Sequence, residues 1–468
     1  MMIDGEGMKK IIKFFMFLPI FMSILIISSC DSKIIVPENF VIENDIILFQ
    51  EVENYTYKGV FIGEKEYKRI VKNGTTLESL TLPYGEYTVY LEISDGKGTA
   101  KTESLTYKYI EKGINLISGE DMVNLEYIKW HGRTKYENEI NMMYHSGSGF
   151  EVEINGTELY ADIHATNAPD PSKRPYLSVV IDEDFDNPTI IPITSNNAKD
   201  VCLAKELKLG THNIKVFKRS ESLDSFYGLK SIRTDGAFLF PKNKERFIEI
   251  IGDSTTAGYG NETKKVNGQM QGKSSANSNV LKTFSVLSAI ELNADFTLMS
   301  ASGWGLTGSI WTNPQTVNIF DAYKKLYVKS NSQGQSYSQE NYDYLSSRNP
   351  DVVIISVGTN DLYYIEAVTG ADRQERIKAF KEKYLELVSF LNEIYTNTDI
   401  IMVYGAMGES RMYSNVEAAY QEIIKVHSNV HCLKLKGDMG AVDNHPTVKS
   451  NEEMAEVLIN KIKEIKNW

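Results

Sequence analysis

Phe247-Ile248-Glu249-Ile250-Ile251-Gly252-Asp253-Ser254-Thr255-Thr256-Ala257-Gly258-Tyr259-Gly260 is the stretch on which the reading of this chain turns. It opens as a short apolar strand, bends through Gly-Asp-Ser, and continues in small residues where a helix begins. Ser254 therefore stands at the carboxyl end of a strand and the amino end of a helix. Backbone N–H groups there lack intrahelical partners and the helix dipole favours negative charge, so an oxyanion can be stabilised beside the hydroxyl. Gly-Asp-Ser alone is a weak match. It gains weight from pieces that follow in a consistent order: Ser300-Ala301-Ser302-Gly303-Trp304-Gly305, Val357-Gly358-Thr359-Asn360-Asp361 and Asp443-Asn444-His445-Pro446.

Around these pieces, from about residue 245 onward, strand and helix patterns alternate. Apolar runs at 247–251, 295–300, 352–357, 399–404 and 430–435 predict strands. Between the third and fourth, Ile377, Phe380, Tyr384, Leu387, Val388, Leu391 and Ile394 recur at helical steps. The last helix is expected to open on the capping-box pair Ser450 and Glu453 and to carry Met454, Leu458, Ile462 and Ile465 on one side. Apolar strands with intervening helices imply a doubly wound, flavodoxin-like parallel sheet with flanking helices. Ligands bind such sheets outside the carboxyl ends of the strands. Ser254 follows the first strand, Gly305 the second, Asn360 the third and His445 the fifth.

Upstream the grammar is β. Residues 31–37 read as a tether. Between about 40 and 112, Asp45–Phe49, Tyr57–Ile62 and Leu82–Ile93 alternate, with a Pro-Tyr-Gly turn and Asp95-Gly96. This segment resembles the small Ig-like sandwiches of exported bacterial proteins, with a spacer's role. Strands continue from about 118 to 243, through Phe150–Ile154 before Asn155-Gly156, Leu177–Asp182 and His212–Phe217, which suggests a jelly roll. The domain expectation is a signal peptide over 1–30, an Ig-like β-sandwich over 31–114, a jelly-roll β-sandwich over 115–243 and an α/β domain over 244–468.

At 468 residues the chain exceeds one ordinary core, and its net charge of −12 argues against a nucleic-acid partner. Met8-Lys9-Lys10 and Lys13 precede an apolar run, Phe14–Ile27, too short to span a bilayer comfortably. That run closes in Ile27-Ser28-Ser29-Cys30, which resembles a bacterial lipobox. The expectation is an exported lipoprotein whose Cys30 is lipidated, anchored to a membrane at the periplasm or cell surface. Cys202 and Cys432 fall in different predicted domains and form no disulfide framework. No Cys/His cluster has metal spacing, and no metal or cofactor is expected.

Ester hydrolysis needs a nucleophile, a base for its proton, and donors aimed at the tetrahedral oxyanion. Ser254 supplies the nucleophile and a backbone N–H. His445 supplies the base, then the acid for the leaving oxygen. Asn360 offers an amide and Gly305 an unobstructed backbone N–H. The other histidines fall in the β-rich half or, for His427 and His431, at the wrong edge of the sheet. Asp253 and Asp361 are expected to tie their loops. Trp304, Tyr259, Trp311 and Tyr363 are candidates to stack on a sugar ring, Trp304 and Tyr259 first.

The order Gly-Asp-Ser, glycine, Gly-x-Asn-Asp and a late His-Pro resembles the SGNH hydrolase superfamily. Further upstream, Ile128-Lys129-Trp130-His131-Gly132-Arg133, Ser146-Gly147-Ser148-Gly149, Gly156-Thr157 and Lys218-Arg219-Ser220-Glu221 resemble carbohydrate esterase family 2. That likeness covers roughly 118–468. It implies a jelly roll joined to an SGNH domain, removal of O-acetyl groups from plant polysaccharides such as xylan or glucomannan, and the roles above for Ser254, Gly305, Asn360 and His445. The wider superfamily places an orienting Asp three residues before the His, and that position here is Val442. Asp443, two residues before, is the candidate third member; the other arrangement is a backbone carbonyl and a Ser-His dyad. Two alternatives stand beside this reading: a lipid or thioester hydrolase on the same scaffold, and a glycan-binding lipoprotein without catalysis.

Overall fold

The computed structural model describes residues 34–110, 112–312, 317–344, 347–408 and 412–468. The expected signal segment and Cys30 lie outside the described residues. Contacts divide the chain into two compact units, with the boundary between Tyr109 and Ile110.

In the first unit, Glu66–Ile70, Thr56–Ile62 and Gly85–Ser94 pair in that order, Thr99–Lys101 and Leu105–Tyr109 flank the last, and a small sheet holds Val41–Glu43, Ile46–Leu48 and Thr75–Thr76. Tyr87, Val89, Leu91 and Ile93 are buried at alternate positions, as a sheet with one face on the core requires. They pack with Ile47, Phe61 and Leu77.

The second unit begins with two six-stranded antiparallel sheets over a shared core that includes Phe150, Val152, Ile163, Val179, Ile214 and Leu229. A five-stranded sheet follows. We label its strands β1 (Arg246–Gly252), β2 (Ala294–Ser300), β3 (Val352–Ser356), β4 (Asp399–Tyr404) and β5 (Val430–Lys434). Their order is β2-β1-β3-β4-β5 and every pairing is parallel. This is the expected doubly wound sheet. Alternation sorts its side chains into two layers. Ile251, Val353, Ile355 and Met402 face the helices Gly370–Ile394 and Tyr413–Ile423. Ile248, Ile250, Val352, Ile354, Ile401 and Val403 face Phe284–Glu291 and Val448–Lys466. Each fully buried aliphatic side chain of this kind contributes about 1.5–3 kcal/mol.

The last helix differs from expectation at its start. Thr447, not Ser450, is the N-cap, and its side chain accepts the N–H of Ser450. Thr447 has the extended backbone of an N-cap, so the helix begins a turn earlier. Ser450 is buried within it, and its hydroxyl accepts the N–H of Asp438 at 3.0 Å.

The sandwich is keyed into the α/β part by Arg133, which is buried. Its Nη1 donates to the carbonyls of Tyr323 and Lys325 at 2.5 Å each, and its guanidinium lies 4.3 Å from the ring centre of Tyr342 and 4.8 Å from that of Tyr323. Desolvation of the cation is offset by these carbonyls and ring faces.

Candidate active site

Ser254 opens a four-residue helix directly after β1 and is buried. Its neighbour Asp253 caps that turn: Oδ1 accepts from the N–H of Thr255 at 3.0 Å and from its hydroxyl at 2.9 Å. Burial pushes the Asp253 carboxyl up to about 6. Its role is to set the turn, as the sequence suggested.

The loop after β2 is fixed by the segment after β3. Asp361 is fully buried and accepts from the N–H groups of Leu306 and Thr307 at 2.8 Å each, and from the Thr307 hydroxyl at 2.7 Å. Asn360 Nδ2 donates to the Trp304 carbonyl at 3.0 Å and reaches Asp253 Oδ2 at 3.4 Å. Gly305 therefore lies between a residue bound to Asn360 and one bound to Asp361. An added Cβ at Gly305 would stand 1.9 Å from the Gly308 carbonyl oxygen, so the turn admits only glycine. These bonds bring Asp253-Ser254, Gly305 and Asn360 to one rim.

His445 follows a short turn, Val442–Asn444, on the loop after β5. That loop rests on the segment behind Ser254. The Tyr259 N–H donates to the Ser254 carbonyl at 3.2 Å. The Tyr259 ring stacks on the imidazole with centroids 4.5 Å apart. Thr263 Oγ1 accepts the N–H of Val442 at 2.9 Å. A Cβ on Gly260 would come within 2.3 Å of a Val442 methyl, and Gly260 has a φ of 54°, so close approach and backbone conformation both call for glycine.

Of the two arrangements the sequence leaves open at His445, Asp443 or a backbone carbonyl, the geometry has the carbonyl facing Nδ1. His445 Nδ1 lies 3.0 Å from the Val442 carbonyl oxygen. A carbonyl can only accept, so Nδ1 carries the proton and Nε2 the lone pair. The Asp443 carboxylate instead accepts the Tyr259 hydroxyl at 3.0 Å and is exposed. Asp443 sits at a φ of 51°, in the left-handed region, within a turn that carries its side chain to the phenol. His445 Nε2 is buried, with no hydrogen-bond partner among the described residues. Burial is the main influence on the ring and lowers its pKa from the ordinary 6.5, so the neutral base is favoured.

The aromatic candidates separate. Trp304 is fully buried in the core and its indole N–H donates to Gln335 at 2.5 Å, so it offers no face to a ligand. An aromatic flanked by glycines looks like a platform in sequence, but the turn aims this one inward. Tyr259 lies against the base. Trp311 is 65% exposed and meets Tyr363 edge-on at 6.4 Å.

A separate cluster, His131, Glu151 and Asp295, places one ligand atom each within 4.8 Å of the others. The Lys129 ammonium lies 3.1 Å from Glu151 and 2.7 Å from Asp295, and with Lys215 3.7 Å from Glu151 and Arg348 3.2 Å from Asp295 both carboxylates are already paired with cations. Asp295 stands at the amino end of β2, away from the Ser254 rim.

Residues 130–242 match the family model carbohydrate esterase 2 N-terminal, and 248–458 match GDSL-like lipase/acylhydrolase. The cellulase/esterase CelE of Acetivibrio thermocellus is 28% identical over 69% of this chain. The chain spans 37% of that relative's length. An acetylxylan esterase/glucomannan deacetylase of Cellvibrio japonicus is 23% identical over 56% of this chain and 72% of its own. A family two carbohydrate esterase from Clostridium thermocellum, solved in complex with cellohexaose, superposes with a TM-score of 0.61 at 25% identity, covering 73% of this chain and 99% of that one.

Proposed function

We propose that this chain, which joins a carbohydrate esterase 2 N-terminal domain to a GDSL-like hydrolase domain, removes O-acetyl groups from plant cell-wall polysaccharides of the xylan or glucomannan kind. The observation that carries the reading is the state of His445: Nδ1–H held on the Val442 carbonyl, Nε2 buried and unpartnered, on a loop docked against the nucleophile's own. Such an imidazole is already the correct tautomer for a general base.

In this mechanism Ser254 Oγ attacks the acetyl carbonyl carbon while His445 Nε2 takes the hydroxyl proton. No hydrogen bond joins Nε2 to the serine in the structure, and contacts of this type tighten when substrate binds. Negative charge on the former carbonyl oxygen is met by the N–H groups of Ser254 and Gly305 and by Asn360 Nδ2, which gives up its long 3.4 Å contact to Asp253 and keeps its bond to the Trp304 carbonyl. The bond to the sugar oxygen breaks, and the imidazolium returns its proton to that oxygen. Water then attacks the acetyl-serine, giving up a proton to Nε2, and acetate leaves as Ser254 recovers its hydrogen.

Asn360→Ala should lower kcat by about 10²–10³-fold with a smaller change in KM, because an oxyanion donor acts in the transition state. Steady-state kinetics on an acetyl ester test this. The pH profile follows from the depressed pKa of His445. Only the neutral ring accepts a proton, and burial keeps it neutral to lower pH. The acid limb of kcat/KM should therefore turn below about 6.5, the ordinary histidine value; a midpoint at or above that value would contradict it.

Acetate release from acetylated xylan, acetylated glucomannan and acetylated monosaccharides, set beside long-chain aryl esters, tests the substrate class. Preference for acetyl esters of glycans supports the proposal. Preference for long acyl chains would favour a lipid or thioester hydrolase, and glycan binding without hydrolysis a silent binding protein. The leader and Cys30 support an exported, lipid-anchored location, which metabolic labelling with a radioactive fatty acid tests by comparing Cys30→Ser with the unaltered chain.

A further inference from the structure

A short segment of the β-sandwich reaches the catalytic rim. Strand Thr211–Lys218 ends there, and the buried Lys218 ammonium donates to the carbonyls of Ser220 at 2.6 Å and Glu221 at 2.8 Å, fixing the turn. Arg219 ion-pairs with Glu262, its carbonyl accepts the Val280 N–H at 3.1 Å, and the Ser172 carbonyl accepts the Ser275 N–H at 2.8 Å. The segment is thereby seated firmly on the α/β part.

From that turn Glu221, also buried, extends in two directions. Its Oε2 accepts the Ser302 N–H at 3.0 Å, on the loop that carries Gly305. Its Oε1 lies 3.5 Å from Lys273 Nζ, which also pairs with Asp224. Lys273 Nζ in turn stands 5.2 Å from the centre of the Tyr259 ring, and Tyr259 stacks on His445. We propose that Glu221 is a positioning residue, contributed by the β-sandwich, that sets the oxyanion loop through Ser302 and the base through Lys273 and Tyr259.

Two physical arguments support this. A carboxylate is the side chain that can accept a backbone N–H and balance an ammonium at once. Its burial makes both contacts costly to lose, since the partly buried Lys273 and the buried Asp224 would be left with altered charge balance. The carboxylates whose charge acts on His445 are Asp443 from its own loop and Glu221 from the sandwich. The Tyr259 ring stacks on it from the nucleophile's loop, with the Lys273 ammonium on that ring. The Glu221 anion favours the imidazolium, so its removal should move the histidine's titration to lower pH.

The inference rests on the esterase reading, and the test separates the two. On 4-nitrophenyl acetate, Glu221→Ala should reduce kcat by about tenfold to a hundredfold while KM changes little. Glu221→Gln keeps an acceptor for Ser302 and should fall between that variant and the unaltered enzyme. In both, the acid limb of kcat/KM and the His445 titration followed by NMR of histidine-labelled protein should move to lower pH. Counting competent sites with a phosphonate that labels Ser254 removes any contribution of misfolded molecules. Unchanged kcat and an unmoved titration in folded variants would overturn the proposal, as would a loss that vanishes once competent sites are counted. If the unaltered protein hydrolyses no ester, the esterase reading fails, while the NMR titration still decides whether Glu221 acts on His445.

Discussion

Ser254→Ala is expected to abolish acetate release, lowering kcat by about 10⁴-fold or more, while the protein folds as before. The size of the loss follows from the division of labour at the rim. Without the hydroxyl no acyl-enzyme forms, and only the oxyanion donors and substrate binding are left to act on a water molecule. The structural neutrality follows from the turn itself. The capping bonds run from Asp253 to Thr255, bypassing the Ser254 side chain. Alanine is also the best helix former, so stability should change by less than about 1 kcal/mol. Thermal unfolding measured beside acetate release checks both halves; appreciable turnover in the folded variant would contradict the assignment.

A contrast between His445→Ala and Asp443→Asn should separate base from bystander. The first removes the proton acceptor and is expected to cost about 10⁴-fold in kcat. The second leaves the Val442 carbonyl on Nδ1 and should stay within about threefold, because asparagine tolerates the left-handed backbone at this position. The amide oxygen can still accept the Tyr259 hydroxyl. Were the Asp443 carboxylate the true orienting group, its amide would cost about 10⁴-fold, as a triad's acid does. Kinetics of the two purified variants at one pH decide between these outcomes.

Much of the sheet was legible because a parallel strand covered on both faces leaves an unbroken apolar run. The five expected strands agree with β1–β5 to within a residue at each end. The rim was legible for a related reason: residues just past such strands share one edge of the sheet. Asp361 and Asp253 also behave as expected, since short acids beside a turn satisfy backbone donors. What escaped reading is of a different kind. Which group faces His445 Nδ1 stayed open between Asp443 and a backbone carbonyl, since every residue has a carbonyl and no letter marks that of Val442. The only trace was the missing acid three residues before the histidine. Trp304 turns inward because Asn360 pulls its carbonyl toward the rim and Gln335 takes its indole N–H. Such a choice depends on partners remote in sequence. Glu221 likewise gains meaning only when Ser302 and Lys273, 81 and 52 residues away, arrive beside it. Ser450 and Glu453 matched a capping box, yet Thr447 capped the helix first.

Covalent trapping addresses the central claim most directly. The enzyme is mixed with an acetyl ester, quenched in acid during turnover, digested and analysed by mass spectrometry. One acetyl group on the peptide that carries Ser254, absent from Ser254→Ala, is the predicted result. Turnover with no such adduct, or with the acetyl group on another residue, would contradict it.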